Sequence, residues 1–260
     1  MDLNADLAEG AVWTPGDLAL LDVVTSASLA CGFHAGNRTV MRAAAEACIA
    51  RGVAIGAHVS YRDRAGFGRR PLDVPADRLT ADLVEQWEVL VAEVTAAGGR
   101  VDYVKPHGAL YTAMATDQEV AATVVRALAP RCGVLIGPPG TALSDLAAAA
   151  RARVVTEGFC DRGYDAGGHL VPRGEPGAHI DDPASAGAQA RSLALDGGIH
   201  AVDGTWVALS VRTLCIHSDR PGSDRIGLAV RRALEAAGVE VRAPGPDGVE
   251  VRAPGATGAG

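Results

Sequence analysis

Short apolar runs alternate with alanine-rich amphipathic stretches along nearly the whole chain, and the apolar runs end in polar residues. The runs at 3–7, 25–30, 53–59, 101–105, 134–136, 154–159 and 211–216 read as buried strands. Between most of them lie helix signals. Asn37 caps a helix through Arg51 that Gly52 stops, and a long helix spans 76–97 before Gly98-Gly99. The capping box Thr116-x-x-Glu119 is expected to open another helix. Further helices are expected over 141–151, 183–195 and 223–237. Strands separated by helices imply a parallel sheet, either a barrel or a doubly wound sheet. The barrel is favoured because no G-x-G-x-x-G follows the first strand and polar residues cluster after nearly every strand, as at a barrel mouth.

At 260 residues the chain suits one large domain. We place that domain at 1–245, with a Gly/Pro-rich tail over 246–260 expected to be disordered. The C-terminus contains a repeat across this boundary, since Val239-Glu-Val-Arg-Ala-Pro-Gly245 recurs as Val249-Glu-Val-Arg-Ala-Pro-Gly255. With 48% hydrophobic and 21% charged residues the chain can fill a core. A net charge of −7 argues against a nucleic-acid surface, and charges interrupt every helix-like run, so no bilayer span is expected. No signal peptide is expected from Met1-Asp-Leu-Asn-Ala-Asp6. Five scattered cysteines without a C-x-x-C pair suggest a reducing cytoplasm and core roles, Cys31, Cys160 and Cys215 included.

One residue stands out chemically. Lys105 is the only lysine among 24 basic residues, and it sits in Tyr103-Val-Lys-Pro-His-Gly-Ala-Leu-Tyr111. Surface lysine and arginine interchange freely, but an ammonium that must handle charge in a tight site does not. Pro106 keeps Lys105 extended. Period two places Asp2, Asn4 and Asp6 on one side of the first strand, where acids facing inward need cations, a metal or substrate. His34, His58, His107 and His217 each close a strand, whereas His169, His179 and His200 fall in loops and are read as structural.

Two chemistries fit these residues. In one, Asp6, His34 and His58 hold a divalent metal, Mg or Zn, that activates water. In the other there is no metal: Lys105 with Arg162 or Arg173 holds anionic groups while a histidine or Asp6 serves as general base. There is no phosphate loop of the G-x-x-x-x-G-K-[ST] type.

The motifs Asp2-Leu-Asn-Ala-Asp6, Ser26-Ala-Ser-Leu-Ala-Cys-Gly-Phe-His-Ala-Gly36, Gly56-Ala-His58, Gly66-Phe-Gly-Arg-Arg70, Val104-Lys-Pro-His-Gly-Ala-Leu-Tyr111, Glu157-Gly-Phe-Cys-Asp-Arg162, Leu170-Val-Pro-Arg173 and Cys215-Ile-His217 together resemble the LamB/YcsF family. That family supplies the A subunit of bacterial ATP-dependent 5-oxoprolinase. The resemblance runs in order from Asp2 to about Gly238. It implies an α/β fold, an incomplete (β/α)7 TIM-like barrel of the glycoside hydrolase and deacetylase type. It also implies opening of the lactam of 5-oxo-L-proline to L-glutamate, with ATP as cosubstrate and subunits B and C as partners. On this reading the catalytic candidates are Asp6, His34, His58, Lys105, His107, Glu157 and His217, with Asn4, Asp161, Arg162 and Arg173 as substrate contacts. Two other readings remain: a stand-alone metal-dependent deacetylase or amidohydrolase, and a non-catalytic lactam-binding subunit. The chain departs from the family pattern at Ala8, where glycine is usual, in Gly10-Ala-Val-Trp13 where Ser-Phe-Gly usually follows the Glu, and at Asn37, Val59 and Ser218.

Overall fold

The structure, a computed structural model, describes residues 1–243. Its strands are β1 (Asp2–Leu7), β2 (Ser26–Ala30), β3 (Ala54–Val59), β4 (Tyr103–Pro106), β5 (Val134–Gly137), β6 (Arg153–Phe159), β7 (Gly198–His200), β8 (Trp206–Ala208) and β9 (Thr213–His217). β1 to β6 and β9 run parallel and close into a barrel. The ring has seven strands rather than eight, and β9 pairs with both β6 and β1 to complete it. All seven strands expected from the apolar runs are present. The repeat's second copy and the tail expected over 246–260 lie outside the described residues.

The helices are α1 (Pro15–Leu21), α2 (Arg38–Arg51), α3 (Ala76–Ala96), α4 (Gly108–Thr116), α5 (Gln118–Cys132), α6 (Leu143–Ala149), α7 (Pro183–Arg191) and α8 (Ser223–Ala236). Asn37 caps α2 by accepting from the Val40 amide, and Gly52 ends it in the left-handed conformation. The expected Thr116 cap is corrected. Thr116 ends α4, its hydroxyl donating back to the Thr112 carbonyl, and Asp117 caps α5 by accepting from the amides of Glu119 and Val120. A carboxylate one residue closer to the helix reaches both free amides at once. The helix expected over 183–195 is α-helical to Arg191 and then widens to a π turn over Ser192–Asp196. The antiparallel hairpin of β7 and β8 follows it, so His200 lies on a strand rather than in a loop.

Strand alternation sorts the core into two parts. Leu3, Leu29, Ile55, Ala57, Val59, Val104, Leu135, Leu214 and Ile216 face outward into the main apolar cluster shared with the helices. The apolar cluster on the inner side is small, made of Tyr103, Ile136 and Val155. Much of the remaining interior is polar: Asp2, Asn4, Asp6, Ser26, Ser28, His58, Lys105, Glu157 and Thr213 are all buried. Buried polar groups are tolerable only when paired, and here they form one column. Asp2 accepts from Thr25, Ser26 and Thr213, and Asn4 donates to Thr213 and Glu157.

Candidate active site

The column ends at Lys105, whose ammonium is buried between two carboxylates. Nζ lies 2.8 Å from Asp6 Oδ1 and 2.8 Å from Glu157 Oε1, with Asn4 Oδ1 at 3.2 Å and Cys215 Sγ at 3.1 Å. β1, β4, β6 and β9 each supply one or more of these groups, so barrel closure itself assembles the cluster. Burial would lower the Lys105 pKa, but Asp6, Cys215 and Glu157 outweigh it and hold the ammonium well above the ordinary lysine value. Burial would likewise raise Asp6, yet His58 and Lys105 hold it well below the usual carboxylate range. The pair is therefore charged at neutral pH.

Above this cluster opens a cavity of about 630 Å³ that Asp6, His58, Lys105 and His217 border from the barrel. Tyr111 and Phe159 form part of its wall, and Arg69, Arg162 and Arg173 bring positive charge to it. Two buried polar atoms at this end have no protein partner, the Tyr111 hydroxyl and Glu157 Oε2. Of the two, Tyr111 lines the cavity, and an orphaned hydroxyl there is what a polar ligand would satisfy. His217 stacks on Phe159 at 5.4 Å, and its Nδ1 donates to Asp161 at 2.9 Å, which fixes the ring. Arg173 and Arg69 share Asp219, at 3.6 Å and 2.5 Å. Arg162 donates Nε to the Ala178 carbonyl and Nη2 to that of Val171, so much of its donor set ties down the loop after β6. Burial, with Arg173 nearby, brings its pKa down to about 10.

Beside the lysine cluster stands a second group. His34 and His107 stack face to face at 3.9 Å, and His58 meets both edge-on. Glu9 Oε1 approaches His34 Nε2 at 3.3 Å, His107 Nδ1 at 3.4 Å and His58 Nε2 at 3.8 Å. The loop after β3 closes over these rings. Gly68 sits at φ +66 where a Cβ would stand 2.8 Å from His34 Cβ and 2.9 Å from His107 Cδ2, so only glycine fits. The metal ligands expected from the sequence were Asp6, His34 and His58. The structure gathers His34 and His58 with Glu9 and His107, and Asp6 stands between the two groups, its Oδ1 on Lys105 and its Oδ2 3.3 Å from His58 Nε2.

A profile of the LamB/YcsF family matches residues 1–247. The chain belongs to the LamB/YcsF family. Among its relatives, a protein of Streptomyces griseus named as the A subunit of 5-oxoprolinase is 49% identical over 247 residues, covering 94% of this chain and 99% of that one. One of the same name from Mycobacterium avium is 50% identical over 248 residues, covering 94% and 98%. The solved structure of a lactam utilization protein from Thermus thermophilus superposes with a TM-score of 0.85 at 40% identity, covering 93% of this chain and 98% of that one.

Within this LamB/YcsF chain, every residue expected at the site lies on the barrel's C-terminal side or in its column. They form two neighbouring groups: Asn4, Asp6, Lys105 and Glu157 in one, His34, His58 and His107 in the other. Asp161 and His217 make a separate pair. Sequence reasoning left out Glu9, Tyr111 and Arg69. A signal for Glu9 existed, an acid just past the end of β1 in a chain whose strand ends carry its chemistry. His179, set aside as structural, bridges to Arg162 in the loop after β6. Burial pushes Cys31 up to about 12 and holds Cys160 and Cys215 well above the ordinary thiol value, so these thiols stay protonated and pack.

Proposed function

We propose that this pocket opens the lactam of 5-oxo-L-proline to L-glutamate as the A subunit of an ATP-dependent enzyme completed by subunits B and C. The observation that carries the reading is Lys105, an ammonium fixed between Asp6 and Glu157 where it borders a cavity that Arg69, Arg162 and Arg173 also line. The substrate is small, with a carboxylate at one end and an amide at the other. Arg173 and Arg69 suit the carboxylate. The Tyr111 hydroxyl, which lines the cavity and has no protein partner, suits the carbonyl oxygen.

A five-membered lactam is an unreactive amide. Transfer of the ATP γ-phosphoryl group to its oxygen makes the ring carbon electrophilic, and Lys105 stabilises the charge on that oxygen. Water held by Asp6 and His58 gives a proton to Asp6 and adds to the carbon. The C–N bond then breaks as nitrogen takes a proton from His217, which Asp161 orients. The acyl phosphate left is hydrolysed by a second water to glutamate and phosphate. The names of the relatives and the lack of a phosphate loop in this chain support partner subunits that handle ATP. The five cysteines are free thiols, which suits the reducing cytoplasm where this reading places the protein. Among the described residues no helix is long and apolar enough to cross a membrane.

The test combines the chain with its B and C subunits, ATP and 5-oxoproline, and measures glutamate. Release only when all components are present is expected. No glutamate from the full mixture, where the subunits of a related enzyme succeed, would refute the proposal. Amide hydrolysis by the chain alone without ATP would instead favour the stand-alone amidohydrolase, the reading to which the histidine cluster lends weight.

A further inference from the structure

The three clustered imidazoles all face the same way chemically. His58 Nδ1 lies 3.0 Å from the Lys105 carbonyl oxygen, and His107 Nε2 lies 2.9 Å from that of Phe67. A carbonyl can only accept, so both nitrogens carry hydrogen. His34 Nδ1 lies 2.9 Å from Ser60 Oγ, whose own proton goes to the Tyr61 carbonyl at 3.0 Å, so His34 also donates outward. Each ring therefore turns a lone pair inward: Nε2 of His34, Nε2 of His58 and Nδ1 of His107. Outward N–H bonds of this kind fix the tautomer and orientation of metal-binding histidines.

Inside, these atoms crowd one another. His58 Nε2 and His107 Nδ1 stand 3.0 Å apart, lone pair against lone pair, Glu9 Oε1 joins them, and Asp6 Oδ2 lies 3.3 Å from His58 Nε2 at the edge of the group. All four donor atoms lie within 4.8 Å of one another. A shared proton would reconcile the two nearest nitrogens but would leave the convergence of His34 and Glu9 unexplained. A cation reconciles all four. We infer that Glu9, His34, His58 and His107 form a site for one divalent first-row transition ion.

Three imidazoles with one carboxylate suit zinc, manganese or iron, whereas magnesium and calcium prefer all-oxygen surroundings. The other grouping of donors, Asp6, Cys215 and His217, is a poor rival because the Lys105 ammonium already rests on Asp6 and Cys215. His58 and His107 border the cavity, so an ion there would supply a Lewis acid for a carbonyl oxygen or a water beside the Lys105 cluster. This goes beyond the lactam reading, and binding can be measured without turnover.

The full chain, stripped with a chelator, is titrated with zinc by calorimetry and then loaded with cobalt for absorption spectroscopy. One zinc per chain is expected, and magnesium should not compete. Glu9→Gln and His34→Asn should each weaken zinc binding by about 100-fold or more, and Asp6→Asn by less than Glu9→Gln. The cobalt form should show d–d bands without thiolate charge transfer, a readout that needs no variant to fold. Absence of stoichiometric zinc would overturn the site and leave a shared proton to explain the pair. A thiolate band, or binding lost with Asp6 but kept without Glu9, would overturn its location. A chain that binds no zinc yet releases glutamate with its partners would remove the metal site alone, whereas zinc bound without any lactam opening would remove the functional reading alone.

Discussion

Two residues hold conformations or charges that their surroundings impose. Ala8 sits at φ 60, fully buried, where it turns the chain from β1 toward Glu9. The left-handed region costs an L-residue about 1–2 kcal/mol, while replacing alanine by glycine loosens the unfolded chain by about 0.4–1 kcal/mol. Ala8→Gly also gives up a buried methyl worth about 0.8 kcal/mol, so relief of strain should hold the net change in urea unfolding within about 1 kcal/mol of zero; a loss well beyond that would contradict a strained Ala8. Asp2 is the second case. Burial pushes its pKa up to about 6 against 3.8, with hydroxyl donors from Thr213, Thr25 and Ser26 opposing. The folded state then holds this proton more tightly than the unfolded chain does, so the contribution is full below pH 4 and is lost as pH rises toward 6. Its size is about 3 kcal/mol. Stability measured against pH should fall across that window in the wild type more steeply than in Asp2→Asn. Parallel curves for the two would show that Asp2 does not titrate there.

Between elements, the tightest fit joins β3 to β4. Gly56 pairs with Tyr103, and a Cβ on Gly56 would stand 2.1 Å from the Tyr103 ring, which is fully buried and whose hydroxyl meets Ser28 at 3.2 Å. The ring has nowhere to retreat, so Gly56→Ala should cost about 1–3 kcal/mol or more, read by urea unfolding. A neutral result would mean that the inner packing is looser than described. The strands were legible because each is a short apolar run with a polar end, and alternation then fixed which side Asp2, Asn4 and Asp6 take. α1 and α4 were not. α1 is 7 residues long, too short for periodicity, though its Thr14–Asp17 capping box is present in the sequence. α4 starts on Gly108 directly after a catalytic candidate, and its residues are apolar on most sides, so no stripe marks it. The π turn and hairpin before β9 also lack a periodic signature.

On the scale of the whole molecule, closing seven strands brings residues as far apart in the sequence as Asp6 and His217 to one mouth. Strand-borne groups could be placed there in advance because their side follows from period two. Which of them touch could not, since contact depends on the stagger between strands. Asp6 stands in register with Ser28 and His217, His58 with Lys105, and Glu157 with Thr213. That register sets Asp6 between the ammonium and His58, and Glu9 reaches the three histidines from a loop. Arg69 and Tyr111 likewise reach the cavity from a loop and a helix whose positions only the closed barrel defines. The central claim is that the Lys105 ammonium handles developing charge in lactam opening, a role in which a compact cation among four acceptors cannot be replaced by a planar guanidinium. The most direct measurement is 5-oxoproline turnover by the complete enzyme with ATP, comparing wild type with Lys105→Arg. A fall in kcat of about 100-fold or more with the fold intact is predicted, and full activity in that variant would contradict the account.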